Sequence, residues 1–398
     1  MPNFDRRNNF DLIRLLAAAQ VIYNHTMVWL HAPPARSIEG LVDMFPGVAV
    51  FFVVSGFLVT QSFVRSDGRI GRYAINRALR IYPGLWLNFL VILAMLAATG
   101  SLTLAMISPR FFVYQAAQFI FGSDVYGSVV SNFGYDFSPG HLFAWYPSAV
   151  LWTINVELGF YILVPLVFGA AIRKRRWLLN AAIALGAAGS LWASTIMAHA
   201  VKVAPNATDT VLLAYGPLPY FWIFLLGAAV SLNWDRLRFL FEDQVFAWLC
   251  GYLLLAVICI YGFGGPMVDF TRVKPLVVIK MIALAGTVLA FAHSWRGLAS
   301  VLRGADISYG LYLYHMPIVF TLVGLGFRGG AWTWPLVYGG AACAAAASWI
   351  LVERPALAFK RRWEAGARAS HPSREPAPAA TIAGPEASGL AQGRIEAA

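Results

Sequence analysis

The chain has 398 residues, 59% of them hydrophobic and only 12% charged, with a mean hydropathy of +0.64. An average soluble domain is about 25% charged, so this composition excludes an ordinary water-soluble globule and points to the lipid bilayer. The net charge of +11 does not indicate nucleic acid, because the basic residues sit in short loops beside long uncharged runs, the positive-inside pattern of membrane proteins.

In chain order, Arg6 and Arg7 precede an apolar run over 11–30. This layout is shared with signal peptides, but the run outlasts a usual h-region and Arg14 interrupts it. A retained helix with a cytoplasmic N-terminus is therefore expected. Residues 31–45, with Pro33 and Pro34, form an outer loop, and 44–64 returns inward. Arg65, Arg69, Arg72, Arg77 and Arg80 then crowd one short loop, the strongest inside marker in the chain. Residues 81–99 lead outward again. The section 100–145 is the longest without a span and includes an expected interfacial helix near 107–121.

A span over 148–172 ends at the basic cluster 173–176. Further spans are expected near 177–197, 215–233, 244–262, 275–293, 305–327 and 332–352, each close to the ~20 residues that cross a bilayer core. The loops holding Arg236 and Arg238, Arg296 and Arg303, and Lys360, Arg361 and Arg362 then all fall inside. The expected fold is all-α: a polytopic membrane bundle of about ten transmembrane helices with both termini cytoplasmic. Residues 1–360 make up the transmembrane domain, and 361–398, rich in Ala, Pro, Gly and Ser, form a disordered cytoplasmic tail. Cys250, Cys259 and Cys343 lie in apolar runs and read as packing residues, with neither a disulfide framework nor metal spacing.

Ionisable residues inside spans are costly and mark sites by default. Arg14 and His25 are eleven residues apart, which at ~100° per residue returns to nearly the same helix face, ~16 Å along the axis. His25 suits general-base work because an imidazole exchanges a proton near neutral pH. Arg14, near the inner end, suits an anionic ligand. Glu157, in WTINVELGFY, is placed at a depth similar to His25, where it orients the imidazole, raises its basicity or binds the acceptor. Asn155 and Thr153 add hydrogen-bonding groups beside it. Tyr312 and His315, at i and i+3 in ISYGLYLYHMP, share a face near mid-membrane, with Pro317 just beyond.

Arg77 and Arg80, in RALR at the expected start of a helix, form a phosphate-binding pattern. Ser55 and Gly56 in FFVVSGF read first as small residues for close helix approach. Glu353 and Arg354 read as a structural ion pair capping the last helix. Intramembrane His, Glu and Arg also describe transporters, so a carrier or flippase for a lipid-linked sugar or acyl donor is the alternative reading of these residues. A non-catalytic scaffold is a third.

Six stretches together resemble the acyltransferase-3 family of bacterial membrane O-acyltransferases, which modify O-antigens, exopolysaccharides and Nod factors. They are FDLIR at 10–14 with His25, FFVVSGF at 51–57, RALRIYP at 77–83, LWTINVELGFY at 151–161, ISYGLYLYHMP at 307–317 and VERP at 352–355. The resemblance implies a ten-helix core in the bacterial inner membrane, in the stand-alone form without an esterase-like domain. It implies acyl-CoA, by default acetyl-CoA, as cytoplasmic co-substrate with no permanently bound cofactor, and a glycan or lipid-linked sugar as acceptor. Arg14, His25, Arg77 and Arg80 carry over as functional positions, and Glu157 and His315 as motif residues. Leu158 and Gly159 replace the more usual second Glu and following Gln, leaving one carboxylate there. The expected chemistry is direct transfer to an acceptor hydroxyl with His25 as base, an acyl-enzyme step being equally compatible. Arg77 and Arg80 hold the donor phosphates, Arg14 contacts donor or substrate, and Trp145 and Tyr146 stack on sugar from outside.

Overall fold

The computed structural model describes residues 8–34, 39–122, 135–169, 176–259, 274–295, 298 and 306–359. The expected tail, the clusters around Arg6, Arg173, Arg296, Arg303 and Lys360, and most of the 122–134 stretch lie outside the described residues.

Helix is the only extended secondary structure among the described residues, as expected of chain that must satisfy its backbone inside lipid. In order the helices are α1 (Phe10–Leu30), α2 (Glu39–Met44), α3 (Gly47–Arg65), α4 (Ile70–Ala98), α5 (Pro109–Phe121), α6 (Leu151–Phe168), α7 (Arg176–Val203) and α8 (Thr208–Ala214). There follow α9 (Phe221–Leu232), α10 (Trp234–Leu237), α11 (Val245–Val257), α12 (Pro275–His293), α13 (Ser308–Gly324) and α14 (Thr333–Ser348). Among the described residues seven helices are long and apolar enough to cross a membrane, or eight if the pair 234–240 and 245–257, bent by 72°, is one span. Two expected spans fall outside that set for identifiable reasons. Gln20, Asn24 and His25 lower the hydropathy of α1, and α13 is only 17 residues long.

One boundary differs in a way that matters. The arginine-rich segment is not all loop: α4 begins at Ile70, after a turn in which Gly68 has φ 67°. Arg77 and Arg80 therefore sit well inside a helix. The helix-terminus dipole fades beyond the first turn, so these two act through their guanidinium groups alone.

The bundle is centred on α3. It crosses α9 where Gly56 and Gly227 meet the opposing backbones. A Cβ on Gly56 would stand 1.9 Å from the Phe224 carbonyl oxygen, and one on Gly227 2.0 Å from that of Val53. Contact this close requires glycine on both helices. On its other sides α3 packs on α1, α6 and α12, and α1 in turn packs on α13 and α14.

Three prolines lie inside helices, Pro83, Pro165 and Pro317, and α4 makes good the lost donor at the last two. Pro317 cannot bond the Leu313 carbonyl, and Asn88 Nδ2 donates to it at 3.3 Å. Pro165 leaves the Tyr161 carbonyl free, and the Tyr73 hydroxyl donates to that oxygen at 3.1 Å. Both helices thus continue through their prolines. The interfacial-type segment α5 is started by Ser108, whose side chain accepts from Phe111 N, and is stopped by Gly122 at φ 76°. Its last carbonyls take Trp86 Nε1 at 3.0 Å and the Tyr82 hydroxyl at 2.6 Å.

The expected Glu353–Arg354 pair does not form. Adjacent residues on a helix point apart, and Glu353 is buried with its carboxylate accepting from Ser348 Oγ at 2.8 Å.

Candidate active site

Helices α1, α3, α4, α6 and the start of α13 surround a partly open cleft of about 740 Å³, mouth included. Its cationic end holds Arg14, Arg77 and Arg80; Phe51, Thr153 and Tyr312 line it farther along α3, α6 and α13. The RALR spacing does place both of its arginines on the cleft.

The arginines are not equivalent. Asp306, just before α13 and buried, accepts from Arg14 Nη1 at 2.9 Å and from Arg80 Nη2. Its other oxygen takes the Ser308 hydroxyl and backbone N–H. Arg14 also reaches Asp11 at 3.2 Å. By contrast Arg77 donates to the neutral Ser62 hydroxyl at 3.2 Å and lies over the Tyr161 ring, 5.8 Å from its centroid. Its Nε is buried without a hydrogen-bond partner among the described residues.

Glu157 belongs to this cleft and not to His25. Its Oε1 accepts from the Tyr161 hydroxyl at 2.6 Å and from Ser55 Oγ at 3.1 Å. Depth counted along the helices placed Glu157 level with His25. The rotation of α6 instead turns it into the arginine cleft, where Tyr161, one turn on, bonds to it.

His25 pairs with His315. Its Nδ1 is 2.9 Å from His315 Nε2, with ring planes 13° apart and centroids 5.2 Å apart. Short nitrogen separation with widely spaced centroids means that the rings meet edge to edge, as an in-plane N–H···N bond requires. His315 is fully buried, and its Nδ1 lies 3.2 Å from the Leu311 carbonyl. His25 is not itself among the residues lining the arginine cleft. Tyr312 links the two regions: it lines the cleft, bonds Thr153 Oγ1 at 2.6 Å, and its ring centroid is 6.0 Å from that of His315.

One turn beyond His25 on α1, Trp29 packs on Trp145 at 5.8 Å and on Phe320 at 4.9 Å between ring centroids. Trp145 is 47% exposed. Asn155 lies apart from both regions: its Nδ2 donates to the Tyr215 carbonyl at 2.8 Å, fixing α6 to the α8–α9 connection. Asp306 is the site residue that the motifs missed. It immediately precedes ISYG, and the available signal was a lone carboxylate at the foot of an apolar run beside an arginine-rich segment.

Several apolar, membrane-length helices around a cleft lined by arginines define a multi-pass membrane protein. Residues 7–353 match the family profile described as an acyltransferase domain, and the chain belongs to that acyltransferase-3 family. It is 35% identical over 357 residues to "Nodulation protein 10" of Rhizobium leguminosarum bv. viciae, covering 89% of this chain and 94% of that one. It is 26% identical to a putative peptidoglycan O-acetyltransferase of Bacillus subtilis over 69% of this chain and 44% of the relative. The peptidoglycan O-acetyltransferase OatA of Listeria monocytogenes is 23% identical over 69% of this chain and 45% of its own length. No solved structure matches the chain.

Proposed function

We propose that the protein carries an acyl group, acetyl by default, from cytoplasmic acyl-CoA to a hydroxyl of an extracytoplasmic or lipid-linked glycan. It does so as a ten-span protein of the bacterial inner membrane with both termini inside. The observation that carries this reading is the order of groups along one path: arginines at the cationic end of the cleft, Tyr312 farther along it, then the His315–His25 pair and the Trp29–Trp145 aromatics. Relatives named as peptidoglycan O-acetyltransferases support a glycan acceptor.

In this reading Arg77, which has no carboxylate partner among the described residues, takes a donor phosphate first, and Arg80 and Arg14 complete the anion site. The acyl-pantetheine arm extends along the cleft toward Phe51 and Tyr312. His25 Nε2 takes the proton of the acceptor hydroxyl, the oxygen attacks the thioester carbonyl, and the carbon–sulfur bond breaks. The imidazolium then returns its proton to the departing thiolate. Glu157 acts at the donor end, holding Tyr161 beneath the Arg77 guanidinium. Trp145 offers an aromatic face to the sugar, and Asn155 serves the fold.

The test uses proteoliposomes with labelled acetyl-CoA on one side and a glycan acceptor on the other. Acetyl on the glycan with CoA retained on the donor side is expected. Intact acetyl-CoA on the acceptor side contradicts the reading and identifies a carrier.

A further inference from the structure

We propose that His315 is a positioning residue that fixes His25 as its Nδ1–H tautomer, so that the Nε2 lone pair faces the acceptor. This deepens the reading of His25 as the base and rests on it.

A backbone carbonyl only accepts, so the 3.2 Å contact between His315 Nδ1 and the Leu311 oxygen assigns a proton to that nitrogen. The carbonyl has two lone pairs and serves the helix bond as well. In a neutral imidazole the other nitrogen is then an acceptor, so His315 Nε2 carries a lone pair. Facing it at 2.9 Å is His25 Nδ1, which must be the donor. That leaves His25 Nε2 unprotonated, and among the described residues this nitrogen has no hydrogen-bond partner. The chain Leu311 carbonyl, His315, His25 thus sets a tautomer from a helix backbone, the part that a carboxylate plays in a hydrolase triad.

His315 does not touch substrate in this arrangement. It is fully buried and lines no part of the cleft, whereas His25 is partly exposed. The near-coplanar rings also limit rotation of His25, because turning it out of plane breaks the bond. A side chain at 315 is therefore required to accept one hydrogen bond.

The full-length protein in detergent, labelled with ¹⁵N-histidine, tests this directly, with the His25 signals assigned by their loss in His25→Ala. Nitrogen shifts and long-range couplings distinguish the two neutral tautomers. The expected wild-type result is His25 protonated on Nδ1. His315→Phe keeps a flat ring but no acceptor. It should mix the tautomers and lower kcat by at least ~100-fold, with KM for acetyl-CoA changed less than ~3-fold, since the donor cleft does not include residue 315. His315→Gln keeps an acceptor oxygen and should hold kcat within ~10-fold of wild type. His25 protonated on Nε2 in the wild type overturns the proposal whether or not His315→Phe folds, as does an unchanged tautomer in a folded His315→Phe. Neither result depends on turnover. Failure of the base reading itself shows separately, as acyl transfer that survives His25→Ala.

Discussion

Arg14 Nη1 stands 2.9 Å from Asp306 Oδ2, and the same oxygen receives Arg80, so one carboxylate ties α1 and α4 to the foot of α13. The side chains are 21%, 27% and 6% exposed for Arg14, Arg80 and Asp306. Replacing Asp306 by Asn leaves two guanidinium groups facing each other with only the half-exposed Asp11, on the Arg14 side, as counter-charge. Removing one partner of a fully buried pair costs ~3–5 kcal/mol, and the partly exposed arginines place this variant at or below the lower bound. A lower melting temperature in detergent is expected for Asp306→Asn, with recovery in Asp306→Glu. An unchanged melting temperature would show that the carboxylate is not structural.

Arg77 should behave differently from Arg80. It bonds the Ser62 hydroxyl and lies over Tyr161 without an ion pair among the described residues, which in the proposed reading leaves its charge to a donor phosphate. Arg77→Ala is expected to raise KM for acetyl-CoA ~10- to 100-fold, the size of one charge-assisted hydrogen bond at ~1.5–3 kcal/mol, with little change in melting temperature. Arg80→Ala should lose both affinity and stability. Steady-state kinetics and thermal melts on the two variants check this contrast.

Glu157 bonds Ser55 and Tyr161 in the donor cleft. Glu157→Gln keeps an acceptor oxygen for Tyr161 and removes a charge near Arg77. The expected effect is on KM for the donor, with kcat preserved within ~5-fold. A kcat loss of ~100-fold at unchanged KM would instead put Glu157 in the chemical step.

The α3–α9 crossing leaves no room for a methyl group at either glycine, since both Cβ positions run into backbone rather than side chain. Overpacking typically costs ~1–3 kcal/mol, and unyielding backbone puts Gly56→Ala and Gly227→Ala at or above the top of that range. Poor recovery of monodisperse protein in size-exclusion chromatography is the expected readout. Gly189→Ala, at a position with nothing within 4 Å, is the matched control.

These contacts also show what the sequence exposed and what it hid. Apolar run length located α12 to the residue, at 275–293, and brought α6, α7 and α14 close, because burial in lipid demands uninterrupted hydrophobic length. The i, i+3 spacing placed Arg77 and Arg80 on one cleft. The start of α4 was lost because positive-inside arginines mark a membrane face whether they sit in a loop or on a helix. Axial counting gave Glu157 a depth but not a direction, so its partners Ser55 and Tyr161 were not foreseen. Asp306 and the His25–His315 bond join residues far apart in the chain, and no local pattern encodes which helices meet.

The most direct measurement is acetyl transfer by purified protein in liposomes, comparing wild type with His25→Ala at matched melting temperature. Labelled acetyl-CoA and a glycan acceptor are supplied, and acetyl-glycan and free CoA are both quantified. Loss of the acetyl-glycan product in His25→Ala, with donor binding retained, is the predicted result. Wild-type rates of transfer in His25→Ala would contradict the account.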